Sequence, residues 1–364
     1  MQLVENLIAR YVRQAEPGLL TADTFALERK PLPPLREGEI LIRTIYLSID
    51  AGSRAQFDDR ADYVIKAVLG KVPGSSGAVG EVVESRHRDW RSGDLLVTPH
   101  ARWQLYQVAA PAAEPLLRRI DPGMGPLAMH LGALGMVGFT AYIGIFHVGR
   151  PQPGETLLVS AAAGATGALA GQFGRIAGAR VVGIAGGAEK CAFVRERLGF
   201  DACIDYKAGN LDQAIRAACP QGVDVYYENV GGAIQHAAFA AMNDFGRIAL
   251  CGQVGQYSGA GAQAGPNLMT AVLKRLQIQG FLAMDHLDRH ATFHDSAAAW
   301  YRAGQLQHHA TLTQGLENIH EAINSLMAGR NIGKQLCQVS AEPGQEFPLT
   351  APSFTAFGPG ASHR

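Results

Sequence analysis

No cysteine occurs before Cys191, and no Cys-x-x-Cys pair occurs anywhere in this 364-residue chain. The five cysteines, Cys191, Cys203, Cys219, Cys251 and Cys337, are odd in number and scattered. This argues against a disulfide framework and fits reduced thiols in a cytoplasmic protein. An excess of one charge is also missing: 32 Lys plus Arg balance 32 Asp plus Glu. Nothing therefore favours nucleic acid or an anionic membrane as a partner. Long apolar runs are absent too, because Gly, Pro or charge interrupts each one within about 20 residues, so no membrane-spanning helix is expected. The segment Met1 to Arg13 reads as no signal peptide, having neither a long apolar run nor a small-residue cleavage site.

Glycine is abundant, at 43 residues, and clusters near 164–187 and 229–265. The chain up to about residue 125 alternates short apolar runs with turn signals. Residues 39–46, 77–84, 94–98 and 103–108 read as strands of a β-rich, barrel-like domain. From about residue 126 the pattern changes. After helical segments over 129–147, apolar strands at 156–160, 180–185, 202–205, 223–228 and 246–251 alternate with helices at about 167–177, 189–198 and 211–218. That alternation predicts an α/β fold with a doubly wound parallel sheet. After about residue 308 come a helix at 320–328 and a closing strand at 333–339, then an aperiodic tail, 341–364, expected to be flexible.

The sharpest motif is Ala161-Ala162-Ala163-Gly164-Ala165-Thr166-Gly167, which follows one predicted strand and opens a helix. Gly164 allows a pyrophosphate to approach the backbone, and Gly167 allows close packing of helix on strand. Ala162 stands where the usual fingerprint has its first glycine. The end of the second strand selects the cofactor. An NAD enzyme usually places Asp or Glu there. Here the stretch is Ile184-Ala185-Gly186-Gly187-Ala188-Glu189-Lys190. Without an acid there is no repulsion against a 2′-phosphate, and Lys190 can attract one. Glu189 and Lys190 also fit an ordinary first helical turn.

Several motifs then appear in register: Gly135-Met136-Val137-Gly138-Phe139-Thr140-Ala141-Tyr142, the Ala161–Gly167 turn, Gly186 to Lys190, Glu228-Asn229-Val230-Gly231-Gly232, Gly246 to Gly252, and Gly329 to Lys334. With them the chain resembles the zinc-independent medium-chain dehydrogenase/reductases, specifically the prostaglandin/leukotriene reductase, 2-alkenal reductase and curcumin reductase branch, over about residues 20–340.

The resemblance implies a GroES-like catalytic domain over 1–125, completed by 309–340, and a Rossmann domain over 126–308 with NADPH in the cleft between them. It implies cofactor contacts from Ala163, Gly164, Ala165, Thr166, Gly167, Gly187 and Cys251. Lys190 looks like the 2′-phosphate lysine and Tyr206 like the tyrosine beside it. Asn229 and Asn331 look like contacts to the nicotinamide half, and Tyr257 like the tyrosine near the substrate carbonyl. Each also admits a purely structural reading. Asp50 and Gly52 fall at the substrate pocket. There the family usually has Asp-Pro-Tyr-Met-Arg, whereas this chain has Asp50-Ala51-Gly52-Ser53-Arg54. Gly52 in place of tyrosine should reshape the pocket. A homodimer is implied as well.

Zinc alcohol dehydrogenases of the same superfamily need a cysteine in the N-terminal domain and a His-Glu pair. This chain has no such cysteine, and reads Gly74-Ser75-Ser76-Gly77 where the pair would stand. His286, His290 and His294 fall at helical spacing and read as a solvated helix face rather than a metal site. The expected activity is metal-free, NADPH-dependent reduction of the C=C bond of a small-molecule enone or enal. The alternatives are a metal-free carbonyl reductase or alcohol dehydrogenase, or a non-catalytic NADPH-binding protein.

Overall fold

The computed structural model describes residues 5–58, 65–256 and 264–345. Two large sheets organise it. The first has six parallel strands: Thr156–Val159, Arg180–Ala185, Ala202–Asp205, Val223–Glu228, Met242–Leu250 and Gln277–Gly280. Numbered in chain order, they lie 3-2-1-4-5-6 across the sheet. The inner strands are buried on both faces, which is why their sequences are near-continuous apolar runs. Chain order reverses between the first and fourth strands, and the crevice beyond their carboxyl ends is the usual ligand site of such sheets.

The second sheet has seven strands and is built largely from the N-terminal part. Ile40–Ser48 pairs with Ala78–Ser85, which pairs with Leu95–Thr98, and Tyr106–Ala109 also pairs with Ile40–Ser48. The chain returns to this sheet at its far end, where Lys334–Gln338 pairs with Ile40–Ser48 and carries Ala310–Gln314 at the edge. Leu127, Ala128 and Leu131 pack into the core under this sheet, against Ile45, Val79 and Leu336. Beneath the N-terminal hairpin, Glu5–Tyr11 with Phe25–Pro31, the buried Trp103 meets Phe25 and Phe57.

Four of the strands and helices expected in the parallel region lie at the observed bounds: Arg180–Ala185, Ala202–Asp205, Leu211–Ala218 and Val223–Glu228. Others differ for local reasons. The helix expected at 189–198 starts as Ala188–Ala192 and widens to a π turn over Phe193–Arg197. The strand expected at 246–251 begins at Met242 and passes through Phe245, whose φ is 61°. Gln277–Gly280 was not anticipated, since a short, fully exposed edge strand has no apolar alternation to signal it. The start of the tail is fixed: Arg43 donates to the Ala341 carbonyl at 2.8 Å, and the Tyr46 hydroxyl to Glu342 at 2.7 Å. Residues 346–364 of the tail lie outside the described residues.

The histidine spacing does not form a solvated face. His286 sits in a 3-10 segment, Ala283–Arg289, with non-helical φ of −121°. His290 opens the next helix and turns inward, with its ring 5.1 Å from Phe139. The three residues therefore do not share one helix, and helical spacing across a kink carries no meaning.

Candidate active site

The glycine-rich turn leaves Val159 and enters the helix Ala165–Ile176 through Gly164. Ala161 takes a left-handed φ of 50° to reverse the chain. The Ala162 amide donates to the Ile184 carbonyl at 3.0 Å and the Gly164 amide to the Ala161 carbonyl at 2.9 Å. A Cβ on Gly167 would lie 2.3 Å from the Ala161 oxygen, so only glycine lets the helix begin this close to the turn. A Cβ on Gly183 would lie 2.7 Å from the Ala162 methyl. The space usually made by the first fingerprint glycine is thus made here by a glycine on the neighbouring strand. The amides of Thr166 and Gly167 have no acceptor among the described residues, while that of Ala165 faces the Gly333 carbonyl. With the helix dipole they favour an anion.

Ala163, Gly164, Ala165, Thr166 and Gly167 line a cleft of about 600 Å³. At one end lie Lys190, Tyr206 and Lys207. Lys190 Nζ donates to the Gly329 carbonyl at 2.6 Å. Burial and the neighbouring Lys207 ammonium lower its pKa, so a bound anion would relieve real repulsion. The one nearby strand-end acid, Asp205, does not face a ribose. Its Oδ1 accepts from the amides of Gly187 at 2.8 Å and Lys207 at 2.9 Å, and these bonds hold the carboxyl below its usual range. Gly187, expected at the cofactor, thus has its amide engaged by Asp205 and does not line the cleft, whereas Gly186 does. Lys207 was missed from the sequence. Its signal, a lysine directly after Tyr206 at a strand end, was present.

Asn229, Cys251, Asn331, Asp50 and Gly52 also line the cleft. The Asn229 amide donates to Ser160 Oγ at 2.8 Å, and its Nδ2 to the Ser160 carbonyl at 2.7 Å. Beneath it, the buried Glu228 accepts from the amides of Val230 at 2.6 Å and Gly231 at 3.1 Å, which fixes the turn. Burial pushes the Cys251 thiol up to about 11, so it is neutral. Asn331 is buried and donates to the Gly333 carbonyl at 2.8 Å. The Gly333 amide in turn donates to the Ala163 carbonyl at 2.8 Å, stitching the returning segment to the glycine-rich turn. Tyr257 lies outside the described residues.

A second cavity of about 240 Å³ shares the Asp50 and Val137 walls with the cleft. Among the described residues, no three His, Cys, Asp or Glu side chains gather as a metal site. No helix among them is long and apolar enough to cross a membrane.

Two family models match the chain: an N-terminal domain of oxidoreductase over residues 11–115, and a zinc-binding dehydrogenase over residues 165–301. The NADPH-dependent curcumin reductase of Escherichia coli is 39% identical over 92% of this chain and 97% of its own length. The NADP(+)-dependent 2-alkenal reductase of Nicotiana tabacum is 34% identical over 93% of this chain and 97% of its own. Among solved structures, CurA from Vibrio vulnificus in complex with NADPH superposes with a TM-score of 0.85 at 34% identity, covering 92% of this chain and 100% of that one.

Proposed function

This chain belongs to the zinc-independent medium-chain dehydrogenase/reductases, in the branch that holds the curcumin and 2-alkenal reductases, and we propose that it reduces the C=C bond of an α,β-unsaturated ketone or aldehyde with NADPH. The observation that carries this reading is the cleft end formed by Lys190, Tyr206 and Lys207, where the only nearby strand-end carboxylate is spent on backbone amides. The residues fit the cofactor: free first-turn amides suit the pyrophosphate, and two ammonium groups suit the 2′-phosphate.

When bound, NADPH supplies the hydride that reduces the β-carbon. In this reading the chain orients the cofactor with Asn229 and Asn331, each already pinned by its own hydrogen bonds. Negative charge then develops on the substrate carbonyl oxygen, and a donor aimed at that oxygen lowers the barrier. Tyr257 is assigned that role and, with water, delivery of the proton to the α-carbon. Gly52 and Asp50 bound the substrate end, and the absence of a side chain at Gly52 leaves room there.

The same proposal divides the chain into a catalytic part, 1–125 with 309–340, and a cofactor part, 126–308, followed by the tail 341–364. The return of Lys334–Gln338 to the N-terminal sheet supports it. It also includes a cytoplasmic homodimer. Five free thiols suit a reducing compartment. The exposed edge strand Gln277–Gly280, flanked by exposed Met269, Val272, Leu273 and Leu282, offers a self-complementary face.

The test is NADPH oxidation across enals, cyclic enones and aryl enones, with NADH in parallel and product analysis. A saturated ketone or aldehyde supports the reading. An allylic alcohol would instead make the protein a carbonyl reductase, and stoichiometric binding without oxidation would make it a non-catalytic NADPH-binding protein.

A further inference from the structure

The second cavity contains a cation whose hydrogen-bonding capacity is largely unspent. Arg118 lines it. Its Nη2 donates to the Leu134 carbonyl at 2.8 Å and approaches His130 Nδ1 at 3.4 Å. Both partners are neutral. The remaining N–H groups of its guanidinium have no acceptor among the described residues, and Arg118 forms no ion pair there. A guanidinium has five donors in a planar fork, matched to two carboxylate oxygens.

The surroundings leave that charge uncompensated. Burial and Arg118 itself push His130 down to about 3, so it contributes no negative or positive charge at neutral pH. His290 also lines the cavity and is lowered by burial and by Arg118. Asp50 is the one carboxylate in the wall, and Lys334 pairs with it. Burial pulls Arg118 down to about 10, which still leaves it protonated.

We propose that this cavity is the recognition pocket for a carboxylate carried by the substrate, with Arg118 as the specificity-determining residue, so that enones bearing a terminal acid are preferred over their neutral counterparts. This rests on the enone-reductase reading and narrows it. The shared Asp50 and Val137 wall sets the pocket directly beside the part of the cleft assigned to the substrate. Its volume of about 240 Å³ leaves room for a carboxylate and a short chain.

The experiment compares a straight-chain methyl enone bearing a carboxylate a few methylenes beyond the double bond with its methyl ester. The wild-type protein should show a kcat/KM at least about tenfold higher for the acid, carried mainly by KM, as loss of one charge-assisted pair implies. In Arg118→Gln the acid-to-ester ratio should collapse toward one, and Arg118→Lys should restore part of it. Equal use of acid and ester by the wild type, or a ratio unchanged in Arg118→Gln, overturns the proposal while leaving the enone-reductase reading intact. If neither enone is reduced, that broader reading fails, and binding decides the pocket separately. The saturated keto acid should then bind the NADPH-loaded protein at least about tenfold tighter than its ester, and equal binding rejects the pocket. Thermal melts of both variants establish that they are folded.

Discussion

The buried Lys334 and the half-buried Asp50 form an ion pair at the wall shared by the cleft and the second cavity. Lys334 is 2% exposed and also donates to the Ile49 carbonyl at 2.8 Å, while Ser48 Oγ donates to Asp50 at 2.7 Å. Burial alone would raise the Asp50 pKa and lower that of Lys334. The attraction of Lys334, with the hydroxyl bonds, outweighs burial and holds the Asp50 carboxyl below its usual range. The pair ties the closing strand Lys334–Gln338 to the end of Ile40–Ser48 across 284 positions of sequence.

Removing the Asp50 charge leaves Lys334 charged and buried, whereas removing Lys334 leaves Asp50 charged and partly exposed. Asp50→Asn is expected to destabilise the protein by about 3–5 kcal/mol in urea denaturation, and Lys334→Met by less, because water still reaches Asp50. The double variant should recover much of the loss. Single variants within about 1 kcal/mol of wild type would mean that the pair is effectively solvated.

The two lysines at the cleft end should act together on cofactor choice. Lys190→Ala and Lys207→Ala are each expected to raise the KM for NADPH about tenfold, with little change for NADH, as loss of one charge-assisted phosphate contact implies. Steady-state kinetics with both cofactors checks this. Parallel losses for NADPH and NADH would show that the lysines do not read the 2′-phosphate.

Tyr257→Phe keeps the ring and removes the hydroxyl. If that hydroxyl supports the developing enolate, kcat should fall about tenfold or more at unchanged NADPH affinity. Unaltered turnover would remove Tyr257 from the mechanism.

Acid should weaken the fold before the carboxylates titrate. Burial, with help from Arg118, pushes His130 down to about 3 and His294 to about 4, and burial pushes His308 to about 4. In the unfolded chain they titrate near 6.5. Above that value neither state binds the protons. As pH falls from about 6.5 toward 4, the unfolded state takes them up and the folded state does not, so stability declines. Urea midpoints measured from pH 7 to 4.5 should fall steadily, and His308→Asn should flatten the slope. A flat wild-type profile over that window would show that these rings protonate freely in the folded protein.

The helix begins where Gly167 gives way to nothing larger. Gly167→Ala places a methyl 2.3 Å from the Ala161 oxygen and must displace the turn. A loss of about 1–3 kcal/mol in stability is expected, with weakened NADPH binding by calorimetry. Undiminished binding would show that the turn yields without cost.

The sequence by itself determined the parallel sheet, the glycine-rich turn and its helix, the missing strand-end acid, and the family. Each of these is written in residues close along the chain. Apolar runs of strand length, helical periodicity and glycines at fixed offsets follow from backbone geometry and near neighbours. Tertiary structure alone decided the partners of the charges and the fate of the histidines. Lys334 reads from sequence as the end of a motif, and Arg118 as one of two adjacent arginines. Only folding sets one against Asp50 and leaves the other facing a cavity with donors to spare. His286 and His290 share a helical interval in sequence, yet a kink parts them. Coulomb and desolvation energies depend on distance and burial in space, and neither quantity exists until distant segments have packed.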